Sequence, residues 1–264
     1  VIYKKGNLMT KLLFHQYPYG SDNYGVLVHD PQSKATACVD VGDASKAIKA
    51  LEEKNWSLTE IWITHHHPDH TDGLQELKMK TGAFVYGPKL VSQHIEGLDL
   101  ELTQDDQFIF ADQTVKIIHT PGHTTDMINF YLPSHTTLFS GDTLFALGCG
   151  RLFEGTPYMM WKSLQKLMKL PEQTTIYCSH EYTLANAHFS LSIDPSNSLL
   201  KDRVKSIESL RKANIPTIPT KLKVELDTNP FLRASDRIIR ENLNMKNSSD
   251  AEVFEKIRTL KDTF

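Results

Sequence analysis

The run Thr64-His65-His66-His67-Pro68-Asp69-His70 limits this chain more than any other feature. It follows Ile61-Trp62-Ile63-Thr64, an apolar segment that reads as a short buried strand, so the histidines sit on a loop at a strand end. In an extended segment alternate side chains face the same side, so His65 and His67 can serve one ion. Asp69 and His70, beyond the turn, can point at a second. Imidazole and carboxylate ligands suit zinc, iron or manganese. His66 is expected to pack or to support a neighbour rather than to ligate. A purification tag also supplies histidines, but a tag lies at a terminus, and this cluster is internal and broken by Pro68 and Asp69.

Three further motifs complete a ligand set. Thr120-Pro121-Gly122-His123-Thr124 offers His123, Ser140-Gly141-Asp142-Thr143 offers Asp142, and Cys178-Ser179-His180-Glu181 offers His180. Each lies on a loop that leaves a short apolar strand, where site residues concentrate. Five histidines and two carboxylates are what two ions need if one carboxylate bridges. His15, His94, His119 and His188 receive no role.

The remaining pattern is mixed α/β up to about residue 180. Short apolar runs at 24–28, 35–39, 84–86, 108–110, 115–118, 128–132, 138–140 and 176–178 read as strands. Residues 43–54, 74–80 and 161–168 read as helices, with Gly82 a natural stop. Beyond 181, Leu199, Leu200, Val204, Ile207 and Leu210 recur at helical spacing. Residues 215–219 form a proline-marked break, and 251–260 an amphipathic helix. Two domains are therefore expected: a mixed α/β domain over 1–180 and a smaller, mainly helical domain over 181–264.

Bulk properties remove other classes. With 29 basic and 32 acidic residues the net charge is −3, which gives no overall field to hold nucleic acid. No run of 18 apolar residues exists, so no membrane-spanning helix is expected. Three widely spaced cysteines do not make a disulfide framework; they are expected to be buried thiols in a reducing compartment, the cytoplasm. Residues 1–11 carry Lys4, Lys5 and Lys11 without an apolar stretch of signal-peptide length, and Val1 is not a natural start. The first several residues are therefore expected to be an artefact of cloning or of an alternative start.

The order of H-x-H-x-D-H, Pro-Gly-His-Thr, Ser-Gly-Asp-Thr and a final histidine resembles the metallo-β-lactamase superfamily. That resemblance implies an αββα sandwich with the metal site at one edge. A closer likeness comes from Gly20-Ser21-Asp22-Asn23-Tyr24, Gly141-Asp142-Thr143-Leu144-Phe145, Gly148-Cys149-Gly150-Arg151, Phe153-Glu154-Gly155-Thr156 and His180-Glu181-Tyr182-Thr183. Thr228-Asn229-Pro230-Phe231-Leu232-Arg233 and Arg258-Thr259-Leu260-Lys261-Asp262 extend it. These resemble the glyoxalase II (hydroxyacylglutathione hydrolase) family, from about residue 12 to the C-terminus.

The resemblance implies one ion on His65, His67 and His123, another on Asp69, His70 and His180, and Asp142 as the bridge. It implies glutathione recognition by Arg151, Tyr182, Arg258 and Lys261, and hydrolysis of S-D-lactoylglutathione in methylglyoxal detoxification. The expected cofactors are two divalent ions, zinc foremost with iron or manganese as alternatives. The expected partner is a small glutathione thioester, with neither nucleic acid nor membrane, and the chain is expected to be a monomer. Three departures stand out: Phe153 where many members have Tyr, Arg151 where Lys is common, and Ser179 where Gly often precedes the last histidine.

The chemistry is consistent with that set. Bulk water supplies little hydroxide at pH 7, whereas a metal can lower the pKa of a bound water to about 7, and two ions can also stabilise an oxyanion. Thiolate leaves readily, so little general acid is needed. Asp69 and Asp142 are the expected catalytic carboxylates, and no Gly-x-Ser-x-Gly nucleophile elbow is present. Arg258 and Lys261, three apart on a helix, are neighbours that can clamp a glutathione carboxylate, the arginine in bidentate fashion. The competing reading is another binuclear hydrolase of the same fold, such as a lactonase or a different thioesterase. The lack of a basic, aromatic-rich stretch disfavours a nuclease, and the full seven-ligand set disfavours a single-iron dioxygenase. The tail cannot supply a flavin domain.

Overall fold

The computed structural model describes residues 11–264. The expectation placed on the first residues therefore lies, apart from Lys11, outside the described residues.

Strands β1 (Leu13–Tyr19), β2 (Asn23–His29), β3 (Thr36–Val39), β4 (Glu60–Trp62), β5 (Phe84–Pro88) and β6 (Leu100–Leu102) form one sheet in sequential order. The first three run antiparallel, and β3 to β6 are parallel. The parallel pairs need crossovers. Helix α1 (Ala44–Lys54) supplies the first. The short α2 (Pro68–Thr71) and α3 (Leu74–Thr81) supply the next. Asp43 caps α1 by accepting from the Lys46 N–H, and Gly82, at φ 69°, ends α3 in the left-handed conformation glycine tolerates.

The second sheet contains β7 (Gln107–Phe110), β8 (Gln113–His119), β9 (Ile128–Leu132), β10 (Thr137–Gly141), β13 (Thr175–Cys178) and β14 (Thr220–Lys221), in the order 14-13-10-9-8-7. A small ribbon of β11 (Leu144–Phe145) and β12 (Gly148–Cys149) leaves β10. Helices α4 (Pro157–Leu167), α5 (Thr183–Ile193), α6 (Ser198–Lys212), α7 (Leu222–Thr228), α8 (Arg237–Asn242) and α9 (Asp250–Asp262) complete the chain.

Strand alternation sorts the side chains into layers. On and after β4, Ile61 and Ile63 face α1 and α3, while Trp62 points between the sheets against Phe110, Phe130 and Phe139. In the second sheet Phe130 and Phe139 face that inner core, while Tyr131, Leu138 and Ile176 face the helices. The result is the expected helix–sheet–sheet–helix sandwich. The segment after 181 is not purely helical, because Thr220–Lys221 adds an edge strand beside β13. Its helices also share one core with the second sheet: Phe231, Phe254 and Ile257 cluster with Leu138, Leu164 and Ile176.

One polar feature of this frame gives a pH signature. Glu60 starts β4 and accepts a 2.8 Å bond from the Trp62 indole N–H. Burial pushes its carboxyl up to about 7 despite that bond. The native state then holds the proton more tightly than the unfolded chain, so this group's contribution to stability is lost as pH rises from about 4.5 to about 7. Glu60→Gln is therefore expected to exceed the parent in urea unfolding at about pH 8, by up to about 3 kcal/mol, and to show no gain at about pH 4. An equal difference at both pH values would refute the assignment.

Candidate metal centre and substrate cleft

Loops leaving β4, β8, β10 and β13 bring the seven predicted side chains together at one edge of the sandwich. Two backbone features allow it. Gly141, at φ 48°, lets β10 turn beside Thr64, whose hydroxyl would lie 2.8 Å from any Cβ there. Gly150 packs its Cα on the Asp142 carbonyl, where a Cβ would meet that oxygen at 2.0 Å.

His65, His67 and His123 form one group of converging ligand atoms and Asp69, His70 and His180 another. His123 Nε2 lies 3.0 Å from His67 Nδ1, His70 Nε2 is 3.4 Å from Asp69 Oδ2, and His180 Nε2 is 3.5 Å from the same oxygen. Asp142 spans the groups: its Oδ2 is 3.4 Å from His123 Nε2 and 3.3 Å from His180 Nε2, and its Oδ1 is 3.5 Å from His70 Nε2. Ligands about 2.0–2.1 Å from a tetrahedral ion stand about 3.4 Å from one another. The spacings match that edge length. His65 Nε2, His70 Nε2 and Asp142 Oδ1 are buried at the centre without a hydrogen-bond partner, an expensive arrangement that a cation relieves. The donor set therefore fits two divalent ions.

The opposite ring nitrogens are tied down. Asp40 Oδ2 accepts from His70 Nδ1 at 2.8 Å, and the same carboxylate takes the Thr64 N–H and hydroxyl. Asp22 Oδ1 accepts from His180 Nδ1 at 2.8 Å, and the Arg151 carbonyl accepts from His123 Nδ1 at 2.8 Å. His65 Nδ1 meets the Thr64 hydroxyl at 3.0 Å, and Asn23 donates to Asp69 Oδ2 at 3.0 Å. His66 turns away, between Asp126 and Glu154, as a supporting residue would.

Electrostatics separate the groups. Burial, with the charge of neighbouring histidines, lowers the pKa of His65 and His67. Burial also lowers His123. All three are held neutral, as ligands must be. Burial opposes ionisation of Asp142 and Asp69, yet the histidines beside them win and hold both carboxyls well below their usual range. His70 and His180 shift upward, because Asp142 and their backing carboxylates outweigh burial. The centre is thus a buried well in which two ionised carboxylates stand directly against imidazoles.

A cleft of about 550 Å³ opens from this well, lined by His67, Asp69, His123, Asp142 and His180 at one end and by Arg151, Tyr182, Arg258 and Lys261 further out. All four predicted recognition residues therefore line it. Their engagements differ. Tyr182 stacks on His180 at 4.7 Å with its ring nearly parallel. Arg258 is buried, donates to the Cys149 carbonyl at 2.9 Å and pairs with Asp262. Its terminal nitrogens are committed, so the expected bidentate grip is not free, and Nε is its atom without a partner. Arg151 shares Asp262 at 3.3 Å, and Lys261 lies over the Phe189 and Phe264 rings.

Residues 23–180 match the metallo-β-lactamase superfamily, and residues 181–264 match the family described as hydroxyacylglutathione hydrolase C-terminus. A hydroxyacylglutathione hydrolase of Brucella anthropi is 48% identical over 258 residues, spanning 98% of this chain and 99% of that protein. The chain belongs to the hydroxyacylglutathione hydrolase family. A second relative of that name, from Brucella ovis, is 49% identical over 96% of this chain and 99% of its own. Among solved structures, the BLEG-1 B3 metallo-β-lactamase superposes with a TM-score of 0.63 at 23% identity, covering 83% of this chain and 99% of its own. ETHE1 from Myxococcus xanthus gives 0.65 at 21%, covering 94% and 96%. At these identities they share the fold.

Within the hydroxyacylglutathione hydrolase pattern, the departures fall around the cleft. Phe153 is exposed at the mouth with its ring edge-on to His67 and His123, and Arg151 contributes its carbonyl inward and its guanidinium outward. Ser179 is buried, its carbonyl accepting from the Tyr24 N–H. Asp22, Asn23 and Asp40, which hold metal-centre side chains, were given no role from sequence. The available signal was the placement of Asp40 directly after a buried strand, and of Asp22-Asn23 in a glycine-led turn. Cys38, Cys149 and Cys178 are free and buried, as expected, with burial raising their thiols to about 12, 11 and 12. Among the described residues no helix is long and apolar enough to cross a membrane.

Proposed function

We propose that this chain hydrolyses S-(2-hydroxyacyl)glutathione, chiefly S-D-lactoylglutathione, to the hydroxy acid and glutathione. The observation that carries this reading is a single cleft with a cation-seeking well at one end and a basic wall from the family's C-terminal helix at the other.

Under the proposal His65, His67 and His123 would hold one ion and Asp69, His70 and His180 the other, with Asp142 standing between the two sets as their shared carboxylate. Zinc fits this ligand set, and iron and manganese suit it too. When bound, the ions supply an activated water and stabilise developing negative charge on the carbonyl oxygen. The chain's own groups do the rest. Asp69, whose side chain is 46% exposed, orients the attacking water from the cleft side. Arg151 and Lys261 attract the glutathione carboxylates, the buried Arg258 adds its charge from within the cleft wall, and the Tyr182 hydroxyl aligns the peptide portion. Asp262 offsets only part of that positive charge. The thiolate needs no strong acid to leave. Three buried, unpaired thiols favour a cytoplasmic setting, and the chain works as a monomer without nucleic acid or membrane.

Loss of thioester absorbance from S-D-lactoylglutathione, with metal analysis on the same sample, tests this. Fast turnover with about two ions per chain is expected. Two ions without thioesterase activity would move the reaction to another hydrolase of this fold. A sample supplied with excess metal that takes up no ions and shows no activity would end the proposal.

A further inference from the structure

The two histidines that share an ion with Asp69 are both backed by carboxylates: His70 by Asp40 and His180 by Asp22. Their counterparts in the other group rest on neutral oxygens, the Thr64 hydroxyl and the Arg151 carbonyl. Asp40 is buried within its own sheet. Asp22 differs, because it sits on the turn between β1 and β2 and its side chain is about one-third exposed. Its charge also reaches the Tyr182 hydroxyl, whose pKa burial and that neighbouring carboxylate raise. His180 and Tyr182, two residues apart, stack with an interplanar angle of 2°, and the Phe145 ring stands edge-on to both. One carboxylate thus fixes one ring of a parallel pair, and the stack passes that orientation to the other, which also lines the cleft.

We propose that Asp22 is a positioning residue shared by the metal centre and the thiol-recognition cleft. This rests on the two-ion thioesterase reading above. The hydrogen bond to Asp22 puts the His180 proton on Nδ1 and leaves Nε2 free to ligate. The stack on His180 in turn fixes the direction of the Tyr182 ring in the cleft. The two tasks are coupled, since any shift of Asp22 moves both rings together.

The side chain can be removed without unstrapping the turn. The Glu181 N–H still reaches the Asp22 carbonyl at 2.8 Å, the Tyr24 N–H reaches the Ser179 carbonyl at 2.7 Å, and Asn23 still bridges to His180 through the backbone. Asp22→Ala and Asp22→Asn are compared with the parent and with Tyr182→Phe. Retained zinc is measured against a graded chelator, and KM for S-D-lactoylglutathione at saturating zinc.

D22A is expected to release its weaker ion at roughly 10- to 100-fold lower chelator strength, the usual cost of losing such a partner, and to raise KM several-fold. D22N keeps an acceptor and loses the charge, so its ion release falls between parent and D22A. Tyr182→Phe is expected to raise KM with parental zinc retention. Parental zinc retention in both Asp22 variants overturns the proposal and leaves the two-ion reading intact. Weaker zinc binding with an unchanged KM overturns the shared role. A parent that retains only one zinc sinks both readings together.

Discussion

Asp142→Ala should lower thioester turnover on the order of 10³-fold or more and leave at most one ion per chain. The expectation follows from geometry. Asp142 is the side chain within 3.5 Å of histidines from both ligand groups, and it is almost fully buried. Alanine removes the bridge and leaves His65 Nε2 and His70 Nε2 without the anion that draws a cation to them. Asp142→Asn keeps the shape but loses a charge, so it should rank between alanine and the parent. Two ions per chain with turnover within a few-fold of the parent in D142A would remove Asp142 from the mechanism.

Asp69→Asn tests a different task on the same wall. Asp69 is far more exposed than Asp142, and Asn23 fixes one of its oxygens. The asparagine can still offer an oxygen to an ion but cannot carry the charge that orients an attacking water. A fall in turnover of roughly 10²–10³-fold is expected, with most of the metal retained. Loss of one ion instead would mark Asp69 as a ligand first. Near-normal turnover with full metal content would refute its role in orienting water.

The convergence of the candidate metal-centre side chains was readable because they lie in four short motifs, each placed where a strand must end. The supporting shell was not. Asp22 meets His180 across 158 positions and Asp40 meets His70 across 30, and no local pattern encodes such pairs. The same limit applied to the fold. Strand β1 was passed over because His15, Gln16 and Pro18 break its apolar alternation; an edge strand tolerates proline. Helix α5 escaped periodicity because its buried face is partly polar. Asn186 and Ser190 point inward to take up the Ala146 and Leu147 carbonyls behind the cleft. Buried Glu225 on α7 does likewise, accepting from the Leu147 N–H. The internal engagement of Arg258 was hidden for a related reason: a helix-face argument sees Lys261 beside it, but not the Cys149 carbonyl 109 positions away.

The position of α9 in the chain has a temporal consequence. Every residue of the metal centre precedes it, while Arg258 and Lys261 lie on it, and Phe254 and Ile257 anchor it in the shared core. During synthesis the candidate metal-centre side chains are therefore all made some 70 residues before α9 begins, since His180 precedes Asp250 by that span. Under the proposed reading, the chain makes every side chain meant for the ions before it makes Arg258 and Lys261, and α9 then closes the core that both halves share.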